Sequence, residues 1–179
     1  NWGLAGEWTD DTAMSYPILH TATVEPLWGL IAFDKIAAGW LDWAKKPKGS
    51  GGQTRAVLLN EDVQSYAHEG HFGLAEELAK AATLAHERMG KSGGNGSLMR
   101  TGAVAVGTLH LDDGSVARIA EIIGLMTHPD PDAVEACIIW TFVVRRALQE
   151  ETLRIGDGLQ YLTADRRVLW EERIMQAET

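Results

Sequence analysis

The chain has 179 residues, 45% of them hydrophobic, and a formal net charge of −9. That length suits one domain over residues 1–179 with a sizeable core, and the composition argues against general disorder. The acidic balance lacks the basic footprint of a nucleic-acid binder, and no apolar run reaches the ~18–20 residues of a membrane span.

Cys137 is the lone cysteine, so no internal disulfide framework exists. With no signal-peptide pattern, this points to a reducing, cytoplasmic setting. The chain opens at Asn1 rather than Met, as a piece of a longer polypeptide would.

Residues 1–9, with Gly3 and Gly6, read as a loop. A helix is expected from about Asp10 to Val24, kinked or delayed by Pro17 and ended by Pro26. A second helix fits Ile31–Lys45. The Pro/Gly/Ser-rich stretch 45–54, with Lys45, Lys46 and Lys48, reads as a flexible, solvated loop. His68 and His71, in "AHEGH", lack the zinc-protease spacing and read as loop residues.

The apolar spacing of Leu74, Leu78, Ala81, Ala82 and Ala85 predicts a helix over Phe72–Met89, with Gly90 as its stop. The glycine-rich "KSGGNGS" then leads into a helix at "LMRTGAVAVGTLHL", capped by Ser97 or a neighbour. Asp112–Gly114 is a turn before another helix, "SVARIAEIIGLMTH". Asp130 is a good N-cap with Pro131 at the first helical position, and the buried helix that follows takes Cys137 into the core. "IGDG" at 155–158 breaks the chain before a last, charged helix over 163–179. No period-two alternation is sustained, so the fold class is all-α, with about seven or eight helices.

Three segments carry candidate chemistry. Thr9, Asp10, Asp11 and Thr12 suit a helix start, where acidic residues complement the dipole. They also suit a hard cation, since Mg²⁺ and Mn²⁺ prefer oxygen ligands and would offset the repulsion of adjacent carboxylates. "GNGS" at 94–97 fits a type I′ turn at Asn95-Gly96, or a loop presenting backbone N–H groups to phosphate. The neighbouring "GKS" is no P-loop, because Ala85 stands where the motif needs glycine. His128, in "MTHPDP", fits a histidine at a helix C-terminus or a site residue.

In this order and approximate spacing, "GEWTDDTAMS", "GNGSLMR" and "THPDPDAV" resemble the ADP-ribosylglycohydrolase family, over Gly6 to about Val144. The resemblance implies a compact multi-helix orthogonal bundle with a binuclear Mg²⁺ or Mn²⁺ centre. It implies Thr9, Asp10 and Asp11 as metal ligands, with Asp10 or Asp11 handling protons in catalysis. It implies Gly94, Asn95, Gly96 and Ser97 as the loop that binds ADP-ribose, and His128 as a residue lining that cleft. The reaction implied is hydrolysis of the bond between ADP-ribose and a modified side chain or small molecule.

The family's second metal motif, Asp-x-Asp-(Ser/Thr), is not found. Asp130-Pro131-Asp132 precedes Ala133, and Gly156-Asp157-Gly158 lacks the second aspartate. The expectation is therefore a domain incomplete at both ends, as a fragment or truncated member. It would expose apolar surface for self-association or for missing segments. The alternative is a catalytically inactive relative, either crystallin-like or an ADP-ribose-binding assembly module.

Overall fold

The computed structural model describes residues 6–25, 28–90 and 92–177. Nine α-helices follow one another among these residues, with no strand: α1 (Asp10–Val24), α2 (Leu30–Ala44), α3 (Gly52–Leu58), α4 (Glu61–His68), α5 (Leu74–Met89), α6 (Leu98–Gly107), α7 (Asp113–Leu125), α8 (Pro131–Glu150) and α9 (Ala164–Ala177). A 3₁₀ turn at Ile155–Tyr161 occupies the expected break before α9. The all-α expectation holds. Gly3, Pro26 and Lys91, and the chain beyond Ala177, lie outside the described residues.

Several helix boundaries follow from local chemistry. Asn60 accepts from the N–H groups of Asp62 and Val63, Asp112 accepts from Ser115, and Asp130 accepts from Asp132 ahead of Pro131. Gly90 ends α5 in the left-handed conformation, with φ 69°. The start of α5 is capped from a distance. Asp34 of α2 accepts from the N–H groups of Gly73 (2.7 Å) and Ala75 (2.9 Å).

Several expectations need correction: Asp113 and Gly114 open α7 instead of forming a turn, and nine α-helices stand among the described residues where about seven or eight are expected. Gly52–Thr54 open α3 instead of extending the loop from 45, and His68 closes α4 instead of lying in a loop. Pro17 lies inside α1, which runs unbroken from Asp10 to Val24, with the proline ring packed against Gly39 of α2. Ser97 does not cap α6, since its side chain makes no capping bond.

The packing order sets the direction of each helix. Trp40 donates to the Met14 carbonyl at 2.8 Å, and Pro17 meets Gly39, so α1 and α2 run antiparallel. Arg100 reaches Met14, while Gly107 abuts Ala22, so α1 and α6 run parallel. Thr141 donates to the Thr101 carbonyl, and Arg145 to that of Thr108, which sets α8 parallel to α6. The N-termini of α1, α6 and α8 therefore point to the same end.

The core between these helices holds Met14, Ile18, Trp40, Leu78, Val104, Ile123 and Phe142, each fully buried. Cys137 is buried too, as expected, and burial pushes its thiol pKa up. By contrast α9 buries no residue fully. It is held to α8 by Arg166 on Asp132 and Glu135, by Arg173 on Asp132, and by the Trp170 indole on Glu135.

Gly158 is a packing requirement, because a Cβ there would sit 2.6 Å from the Ile139 Cα. Gly158→Ala should cost about 2 kcal/mol, as overpacking against backbone does. Gly156→Ala, which meets nothing within 4 Å, should stay within about 0.5 kcal/mol. Urea unfolding midpoints of the two variants check this.

Candidate functional site

Thr9 is the N-cap residue of α1, and Asp10 and Asp11 are its first two helical residues. The Thr9 hydroxyl does not cap the helix. It donates to Asp11 Oδ2 at 2.9 Å. The result is a cluster of oxygen donors at a helix N-terminus, with Asp11 exposed and Asp10 partly covered. Burial, and next the charge of Asp11, raise the Asp10 pKa above the usual value.

What covers Asp10 is the loop after α2. Gly49, at φ +78°, lies so close that a Cβ would be 3.2 Å from Asp10 Oδ1 and 3.6 Å from the Thr9 Cβ. Lys48 beside it pairs with Glu7. Segment 45–51 is thus tied to the start of α1.

The glycine loop leads into the N-terminus of α6. Asn95 and Gly96 do not form a type I′ turn, since neither has positive φ. These glycines serve space instead of conformation. A Cβ at Gly96 would lie 2.8 Å from His128 Cε1, 3.0 Å from His128 Nε2 and 3.0 Å from Thr54 Oγ1. One at Gly94 would be 3.6 Å from His128 Nε2, and one at Gly93 would be 3.5 Å from the Asp130 carboxyl. Among the described residues, no acceptor takes the backbone N–H groups of residues 94–98. Such N–H groups before a helix are of the kind that can take an anion. Ser97 is fully buried. Its hydroxyl feels the Cys137 thiol but makes no hydrogen bond of ordinary geometry.

His128 lies under this loop, 2% exposed. Its Nδ1 is 2.8 Å from the Thr127 hydroxyl, which also receives Arg100 Nη2 at 2.6 Å. Burial, and then the Arg100 charge, lower the His128 pKa to about 4 against a weaker pull from Asp130. Arg100 is itself fully buried. Its Nη2 also donates to the Ile123 carbonyl at 2.7 Å, and its carbon Cζ lies 3.9 Å from the centre of a Trp40 ring.

The structure thus brings His128 against Gly94 and Gly96, and places Thr9, Asp10 and Asp11 on the neighbouring, parallel helix end. Sequence reasoning missed Gly49, Thr54, Arg100 and Thr127. Arg100 and Thr127 stand within the quoted motifs, as the arginine ending "GNGSLMR" and the threonine before His128. Gly49 and Thr54 carry no sequence signal, since only the path of α3 brings them in. Among the described residues, no group of three or more His, Cys, Asp or Glu could hold a metal ion.

The family model for ADP-ribosylglycohydrolase matches residues 1–178, essentially the whole chain. The chain belongs to the ADP-ribosylglycohydrolase family. Its all-helical architecture agrees, and at the level of family the protein is a hydrolase of the ADP-ribosylglycohydrolase type, a group associated with ADP-ribose-modified substrates. No curated protein and no solved structure matches the chain. Among the described residues, no helix is long and apolar enough to cross a membrane.

A histidine whose folded pKa is depressed to about 4 binds fewer protons than the unfolded chain between about pH 6.5 and 4. Its contribution is complete above pH 6.5 and is lost as pH falls through that window, by about 3 kcal/mol at most. His128→Asn should flatten this part of the acid-stability curve. An NMR titration of wild type should find His128 neutral at pH 5.5.

Proposed function

We propose that the protein hydrolyses the glycosidic bond joining ADP-ribose to a modified side chain or small molecule, with Mg²⁺ or Mn²⁺ held at Thr9, Asp10 and Asp11. The observation that carries this reading is the parallel packing of α1 and α6. It sets an aspartate pair at one helix N-terminus beside a loop of unspent N–H groups at the other.

The donor set fits one side of a hard divalent ion. It offers two carboxylates and a hydroxyl, all oxygen, with the hydroxyl free of capping duty. When bound, such an ion supplies positive charge and acidifies a water.

The chain's own residues do the rest. Gly94, Asn95 and Gly96 receive the diphosphate on their N–H groups, with the fully buried Ser97 backing the loop at the positive end of α6. His128 borders that seat. Binding energy from this remote part of the substrate orients the ribose toward the carboxylates. Water then adds at the anomeric carbon as the bond to the acceptor breaks, through a transition state of oxocarbenium character. The acceptor leaves with a proton, and free ADP-ribose is the other product. Asp10, its pKa raised, is placed to take and return that proton.

A second reading has an observation of its own. The start of α1 supplies one carboxylate pair, and among the described residues no group of three or more His, Cys, Asp or Glu could hold a metal ion. An ADP-ribose-binding module without turnover would need no more.

Calorimetry with ADP-ribose, with and without Mg²⁺, separates the two. Wild type should bind, and Asp10→Ala/Asp11→Ala should lose Mg²⁺ affinity by about tenfold or more. Mass spectrometry of an ADP-ribosylated peptide should show release of ADP-ribose by wild type with Mg²⁺ present. Binding indifferent to the metal, with no release, would establish the module reading. Absence of any ADP-ribose binding would sink both.

Because Asp10 ionises against burial and against its neighbour, a proton competes with the cation there. Mg²⁺ affinity should fall with acid, beginning above the usual aspartate range. Asp10→Asn should raise the melting temperature of the metal-free protein at neutral pH while weakening the metal. Scanning calorimetry with and without Mg²⁺ reads both effects.

A further inference from the structure

We infer that Arg100 and Thr127 are positioning residues that hold His128 as the Nε2–H tautomer, giving the glycine loop a fixed, uncharged donor for an anionic oxygen of its ligand. The naming of that ligand as ADP-ribose rests on the function proposed above. The tautomer does not.

A guanidinium has N–H groups and no acceptor. Arg100 Nη2, 2.6 Å from Thr127 Oγ1, must therefore donate to it. The hydroxyl keeps one proton to give, and its other partner is His128 Nδ1 at 2.8 Å. A ring nitrogen that accepts leaves the proton on the other nitrogen, so Nε2 carries the hydrogen.

The Nε2 edge is the one that faces Gly94 and Gly96. Among the described residues, no acceptor is bonded to it. His128 as a whole is only 2% exposed, and its Nε2 edge faces the glycine loop, where a ligand oxygen is the partner it lacks within the protein. The absence of side chains at Gly94 and Gly96 keeps that direction open.

The relay is fixed at each link. Thr127 is fully buried, and Gln53 of α3 donates to its carbonyl at 2.8 Å. Arg100 is clamped between the Trp40 ring, the Ile123 carbonyl and Met14. The burial of Arg100 accounts for its contact with Thr127, and the onward bond from Thr127 to His128 Nδ1 is what that burial does not require.

The test is ¹⁵N-edited NMR of the histidine rings, with ADP-ribose calorimetry beside it. Wild type should show His128 protonated at Nε2 and bare at Nδ1. Thr127→Val, which keeps the shape and removes the hydroxyl, should shift the tautomer and weaken ADP-ribose by about tenfold. Thr127→Ser should keep the tautomer and bind within about twofold of wild type.

A protonated Nδ1 in wild type overturns the inference and needs no variant to be seen. An unchanged tautomer in Thr127→Val overturns it as well. So does a shifted tautomer with unchanged affinity, since the donor then does nothing for the ligand. If wild type binds no ADP-ribose, the proposed function falls, while the wild-type spectrum still decides the tautomer.

Discussion

The arrangement turns on a buried cation that, among the described residues, has no acid to pair with. The Arg100 guanidinium is fully enclosed where α1, α2, α6 and α7 meet. Burial lowers its pKa to about 9, so it remains charged at neutral pH. Isolated charges are costly in a protein interior. Here the cost is offset by a carbonyl, a hydroxyl, a thioether and the face of an indole. The indole alone can contribute about 2 kcal/mol when water is excluded. These partners come from three stretches of chain, α1 (Met14), α2 (Trp40) and the end of α7 (Ile123 and Thr127), so the charge on α6 keeps them only when four helices are in register. The parallel seating of α6 beside α1, and with it the site, follows from that requirement.

Two further constraints work with it. Gly107 lets α6 approach Ala22 of α1, and Gly39 lets α2 approach Pro17. Close backbone packing makes the helix directions unambiguous. It brings three helix N-termini to one end, where their partial positive charges favour anions. The same end carries Asp11 and Asp10, and the ionisation of Asp10 is opposed by burial and next by the charge of Asp11. Helix ends of partial positive charge and a carboxylate pair thus share one end of the bundle.

Much of this was legible in the chain. The periodic helices fell where the apolar spacing placed them, and Gly90, Asp130 and Pro131 marked boundaries by conformations and caps that are local properties. The short helices α3 and α4 were not legible, because 7 and 8 residues give too few turns for a period to show. Their one local signal was Asn60 before Glu61 and Asp62, a capping pattern. In the site, the oxygen cluster and the glycine loop could be read from residue type. The reason for the glycines could not: it lies in a histidine 32 positions on in sequence from Gly96, packed beneath it. The distant cap from Asp34 to α5, and the coverage of Asp10 by Gly49, likewise depend on tertiary proximity that no local pattern encodes.

The segment from Gly49 to Thr54 touches both halves of the site, Asp10 at one end and Gly96 at the other. Its five peptide steps can reach ~17 Å at full extension, and less here because the last three residues are already helical. It is therefore a gauge block between carboxylates and loop. Any molecule that is to touch both the loop and the aspartates would have to match that block in length. Lengthening or shortening this stretch by a residue is the way such a site would be refitted to a longer or shorter molecule, with every contacting side chain left unchanged.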